Sequence, residues 1–129
     1  MQADVTARLQ MILAELRRIP DLLGVTIVRR DGILIAHALP KTTDPKKIAA
    51  MSAAIVGTSE MAAAEMGLGG FNHCIVDTRI GKMMATGAGE EAILVTLLRN
   101  ETNMGLVLLS VDRAAQSIAA ILQVQEVPA

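Results

Sequence analysis

The sequence predicts one small α+β domain, and three observations carry that prediction. An Asp31-Gly32 pair stands between two strand-like runs, a long helix nearly devoid of charge follows, and three further strand-like runs come after a cluster of glycines. At 129 residues the chain has room for one domain. A chain of this size buries roughly two-thirds of its unfolded surface, enough for a core without staples.

The first helix is predicted from about Val5 to Ile19, because Val5, Leu9, Ile12, Leu13, Leu16 and Ile19 recur at three- and four-residue spacing. Pro20 stops it, since the residue before a proline avoids helical geometry. Gly24 to Arg30 and Ile33 to Ala38 then flank Asp31-Gly32. That pair suits the two positive-φ positions of a type I′ hairpin turn. Asp44 is a good N-cap for the next helix, with Pro45 at the first helical position. That helix runs to about Met66, where Gly67 and Gly69-Gly70 end it. Phe71 to Arg79, Lys82 to Ala88 and Ala92 to Arg99 read as strands. Ala92-Ile93-Leu94-Val95-Thr96-Leu97-Leu98 is apolar on both alternating sets, which predicts a central strand covered on both faces. The mixed run Asn72 to Thr78 fits an edge. Leu106-Val107-Leu108-Leu109 alone would suit a strand, but helical spacing continues unbroken, so one helix is predicted from Asn103 to about Leu122. The domain is thus expected over residues 1–122, with 123–129 a flexible tail.

Composition narrows the function. Twelve basic and 13 acidic side chains leave a formal charge of −1, with no long-range pull toward nucleic acid or an anionic membrane. Phe71 is the single aromatic residue, which argues against base-stacking platforms and aromatic cages. Cys74 is the single cysteine, so neither an intramolecular disulfide nor a cysteine-based zinc site is expected. The first residues lack the basic and apolar regions of a signal peptide, and no run approaches the ~20 apolar residues that span a bilayer. A cytoplasmic protein without membrane insertion is the expectation.

Candidate chemistry is sparse. His37 and His73 have no ligand-like neighbours at metal spacing. Cys74 beside His73 suggests a thiolate–imidazole pair, but adjacent strand residues point to opposite faces, and a buried structural thiol is the simpler reading. Gly67-Leu68-Gly69-Gly70 and Gly87-Ala88-Gly89 lack a following Gly-Lys-Ser/Thr, so they read as turns and not as phosphate cradles. Arg17, Arg18, Arg29 and Arg30 read as solvated surface. No catalytic residue, cofactor or metal is expected.

The central helix is the informative segment. Between Ile48 and Met66 the charged residues are Glu60 and Glu65. Ile48, Met51, Ile55, Ser59, Ala62 and Met66 form one stripe, expected to lie on the sheet. Ala50, Ala54, Gly57, Met61 and Ala64 form a second, of small residues and Met. A helix covered on one face should present charge on the other, and this one does not. Small residues allow close backbone approach and Met adapts to irregular surfaces, so helix-on-helix dimerisation is expected. Lys46 and Lys47 open the helix, where positive charge opposes its dipole, and with Ala53 they are candidate partner contacts.

Leu16-Arg17-Arg18-Ile19-Pro20, Gly24 to Gly32, Met51-Ser52-Ala53-Ala54-Ile55, Thr86-Gly87-Ala88-Gly89 and Asn103 to Leu109 occur in an order that resembles the Roadblock/dynein light-chain domain family over about Val5 to Leu122. The resemblance implies a profilin-like, five-stranded antiparallel sheet with the order helix-strand-strand-helix-strand-strand-strand-helix. The central helix would lie on one face and the terminal helices on the other. It also implies a homo- or heterodimer that pairs central helices and joins edge strands, here through Phe71, His73, Cys74 and Ile75, with Cys74 near the dimer axis and open to crosslinking. Family members associate with Ras-like small GTPases or dynein intermediate chains, and a bacterial member activates a gliding-motility GTPase. The expectation is therefore a non-enzymatic dimeric adaptor that binds a Ras-like GTPase. The alternatives are a scaffold subunit indifferent to nucleotide state and, against the missing aromatics, a small-molecule sensor.

Overall fold

The computed structural model describes the backbone of residues 2–126 and the side chains of residues 4–123. Its elements are α1 (Gln2–Leu16), β1 (Leu22–Arg29), β2 (Leu34–Ala38), α2 (Pro45–Glu65), β3 (His73–Asp77), β4 (Gly81–Ala88), β5 (Ala92–Arg99) and α3 (Met104–Glu126). The five strands form one antiparallel sheet in the order β2-β1-β5-β4-β3. The strand that is apolar on both sides, β5, lies at the centre, and the mixed strand β3 lies at an edge.

Two cores sandwich the sheet. On one face, Leu9 and Leu13 of α1 and Val107, Val111 and Ile118 of α3 close over Val25, Ile27, Met84 and Leu94. On the other, Ala49 and Val56 of α2 close over Val28, Ala85, Ile93 and Val95. The second core is smaller because one helix covers that face against two on the other, and α2 approaches β1 and β2 most closely.

Several local expectations are corrected. α1 stops at Leu16, and the Arg18 and Ile19 N–H groups reach back three residues to Glu15 and Leu16, a tighter turn ahead of Pro20. The hairpin between β1 and β2 is not type I′. Gly32 has a positive φ of 94° and Asp31 does not. The Gly32 N–H donates to the Arg29 carbonyl (2.9 Å) and the Arg29 N–H to the Ile33 carbonyl (2.8 Å). A three-residue loop with a left-handed glycine results. Asp31 favours it by accepting from the Ile33 N–H through Oδ1 and pairing with Arg29 at 2.7 Å. α3 runs to Glu126, beyond the predicted end near Leu122, so that part of the expected tail is helical; residues 127–129 lie outside the described residues.

The ends of α2 form as the sequence dictates. Asp44 Oδ1 accepts from the Lys46 and Lys47 N–H groups, with Pro45 in the first turn. At the far end the Leu68 N–H donates to the Ala63 carbonyl and the Gly67 N–H to the Ala64 carbonyl, around a left-handed Gly67. The membrane expectation is also corrected in one respect. By length and composition, Met104–Gln123 of α3 reaches the measure of a membrane span. Its apolar side is the domain core, and Asp112 and Arg113 place charges at its middle.

Candidate interaction surface

The phase of α2 decides which residues it offers. Ala49, Ser52 and Val56 turn inward and are buried. Of the stripe expected on the sheet, Ile48, Ile55 and Ser59 are half-buried, whereas Met51, Ala62 and Met66 are exposed. The inward face lies about one position from that stripe: a helix of Ala, Met and Ile gives no sharp apolar phase, and a serine takes one of the innermost sites. The second stripe faces outward. Ala50, Ala54, Met61 and Ala64 are exposed and Gly57 is half-buried with nothing within 4 Å of where a Cβ would stand. Met51 and Met61 are 55% and 68% exposed, so the outer face of α2 presents apolar surface over several turns.

Lys46 and Lys47 are exposed beside this face, and Ala53 is half-buried, packed toward Gly32 in the β1–β2 turn. Orientation is fixed by a residue read from sequence as solvated surface. Arg30 donates from Nη1 to Glu60 of α2 (2.6 Å) and from Nη2 to the Gly89 carbonyl (3.1 Å). It ties α2 to the β1–β2 and β4–β5 turns together. The sequence held the signal: Glu60 is one of only two charged residues between Ile48 and Met66, and a carboxylate in so apolar a run calls for a cation. Arg30→Ala is expected to lower stability by about 1–3 kcal/mol, read by urea denaturation, while Arg18→Ala on exposed surface changes little.

The edge strand β3 adjoins the same region. In its ladder with β4, Cys74 stands opposite Ala85 and Val76 opposite Met83, on the α2 side; His73, Ile75 and Asp77 stand opposite Thr86, Met84 and Lys82, on the α3 side. His73 and Ile75 are exposed, the latter at 41%, while Phe71 packs partly into the smaller core. Cys74 is half-buried, more open than the buried structural thiol expected, because β3 is an edge strand. On the α3 side a groove of about 450 Å³ runs between β3 and α3, lined by Phe71, His73, Thr86, Asp112 and Gln116 among others. No group of three or more His, Cys, Asp and Glu side chains converges as a metal site among the described residues.

A five-stranded antiparallel sheet with one helix on one face and two on the other defines a small α+β class of domain. The chain belongs to the Roadblock/LC7 domain family, whose model matches residues 8–98. It is 36% identical over 110 residues to an uncharacterised protein of Methanocaldococcus jannaschii, covering 85% of this chain and 96% of that one. Its fold is similar to the gliding protein MglB of Thermus thermophilus, with a TM-score of 0.83 at 23% identity over 91% of this chain and 90% of that one. A structure described as MglB with tetrameric arrangement gives a TM-score of 0.84 at 24% identity, covering 91% and 89%.

Proposed function

We propose that the protein is a dimeric, cytoplasmic adaptor without catalytic chemistry of its own, and that it binds a Ras-like small GTPase through the surface formed by its paired α2 helices. The observation that carries this reading is the outward face of α2, where Met51, Ala54 and Met61 are exposed and charge is nearly absent. Two such helices, packed together, would shield that surface from water, and the free β3 edges alongside would extend one sheet across both copies. Membership of the Roadblock/LC7 family and the fold shared with MglB support a GTPase as the partner. Regulation follows from differential affinity: an adaptor that prefers one nucleotide state of the GTPase shifts its population toward that state.

The test is a pull-down with small GTPases from the same genome, loaded with GDP or a non-hydrolysable GTP analogue. Binding to one state at least tenfold more tightly is the expected result, and no binding in either state would overturn the proposal. The scaffold reading draws on apolar side chains outside the α2 face, Leu106 and Leu109 of α3 and Ile80 at the β3–β4 turn, all exposed. Equal affinity for both states would favour it.

A further inference from the structure

Three threonines are buried in the sheet, and two of them have partners. Thr26 Oγ1 donates to the Ala36 carbonyl (2.9 Å) and Thr96 Oγ1 to the Met84 carbonyl (3.4 Å). Thr86 is 4% exposed, yet its Oγ1 has no hydrogen-bond partner among the described residues. The other buried side-chain atom in that condition, Arg30 Nε, belongs to a guanidinium already held by Glu60 and the Gly89 carbonyl. A buried hydroxyl without a partner costs stability, so what Thr86 faces matters. It shares a sheet face with Met84 and Ala88, beneath α3, and lines the groove between β3 and α3.

The rest of that groove is furnished with acceptors. Asn72 and, from α3, Asp112 and Gln116 line it, and their side chains make no hydrogen bond or ion pair among the described residues. Gly89 and Ala119 border both this groove and a second hollow of about 420 Å³, whose walls include Glu90 and Glu91. The β4–β5 turn meets α3 there, with Ala119 Cβ 3.0 Å from where a Gly89 Cβ would stand. The two hollows adjoin across that contact, where no side chain rises higher than a methyl group. Together they make a trough along α3 with a carboxylate in each half and no Lys or Arg in the lining. Such a trough calls for a ligand that brings its own donors. An ammonium has three donors and no acceptor, and its bonds to a carboxylate are of the stronger, charge-assisted kind.

We propose that the trough binds a linear aliphatic polyamine, with one ammonium held by Asp112 and Thr86 Oγ1 and the far end reaching Glu90 and Glu91. Amines in such chains are separated by three or four methylenes. Asp112 and Gln116 stand one helical turn apart, about 6 Å, which is a comparable span. The methylenes then lie over Ala115 and Ala119, which carry no polar group. His73 is the one lining side chain able to carry positive charge, and a protonated imidazole there opposes a cationic ligand. The site lies on the sheet face opposite α2, so it stands apart from the partner surface proposed above and does not depend on it.

Titration calorimetry of the full chain with spermidine tests this, at about pH 8, where free imidazole is neutral, and at about 0.15 M salt. Spermidine is expected to bind with a Kd below about 1 mM, and putrescine about tenfold more weakly, because the shorter diamine does not reach Glu90 and Glu91. Asp112→Asn should weaken spermidine at least tenfold. Thr86→Val should weaken it about fivefold and raise the urea midpoint, since the methyl replaces a hydroxyl that nothing in the chain satisfies. Glu90→Gln with Glu91→Gln should bring spermidine down to the level of putrescine. Glu101→Gln, at an exposed carboxylate in the β5–α3 loop, should change nothing. No spermidine binding at about 1 mM overturns the site. So do equal losses in Glu101→Gln and Asp112→Asn, which would mark diffuse attraction to an acidic surface. Unchanged affinity in Thr86→Val, with the midpoint raised, would remove the hydroxyl from the site.

Discussion

Replacing Ala54 with glutamate is expected to leave a folded monomer. Ala54 is exposed on the outer face of α2, so within one subunit the new side chain meets water, and its cost to folding should stay within about 0.5 kcal/mol. In the proposed helix pair the position is covered by the other copy, and symmetry introduces two carboxylates at once. An unpaired buried charge costs several kcal/mol, and like charges add to that. A loss of about 3 kcal/mol corresponds to roughly a hundredfold weaker association. Sedimentation velocity at micromolar concentration should show one slow species, and far-ultraviolet circular dichroism should be unchanged. A persisting dimer would mean that α2 is not the interface.

Leu94→Ala should produce the largest loss of folding stability. Leu94 is fully buried in β5, the central strand, beneath α1 and α3. Removing its side chain forfeits the transfer free energy of the lost carbons and leaves a cavity that helices on a rigid sheet cannot close. The cost is about 2–5 kcal/mol. It is best measured in the Ala54→Glu background, because a dimer's unfolding depends on protein concentration. The urea midpoint should fall with the slope unchanged. A loss below about 1 kcal/mol would show that the core collapses onto the vacancy.

The sequence made the element order readable because each boundary had its own chemistry: Pro20 after α1, Asp44-Pro45 before α2, Gly67 after it. The central place of β5 followed from two apolar faces on one strand. What it left open was rotation and direction. The chain of Ala, Met and Ile in α2 has no sharp apolar side, so its spacing points Met51, Ala62 and Met66 inward, whereas they are exposed and Ser52 takes a buried site. The turn at Gly32 escaped because Asp-Gly serves two loop lengths, and the choice depends on Asp31 bonding the Ile33 N–H and Arg29. Arg30 escaped because its partners Glu60 and Gly89 are distant in sequence. Of the candidate surface, the outward residues of α2 and the edge position of β3 were legible. The groove between β3 and α3 was not, since it joins residues that only the folded sheet brings together.

The position of β5 between β1 and β4 has a consequence for how the molecule assembles itself. The β1–β2 and β3–β4 pairings close short loops, so each hairpin can form locally, whereas the ladder joining Arg29 to Ala92 must wait until everything between them has been gathered in. Closing so long a span carries the larger entropic cost, and topologies dominated by such distant pairings fold slowly. During that interval the β3–β4 hairpin carries Ile75 and Val76 on an unguarded rim. The rim proposed above to pair with a sister subunit is therefore also the place where nascent chains would adhere to one another at high concentration.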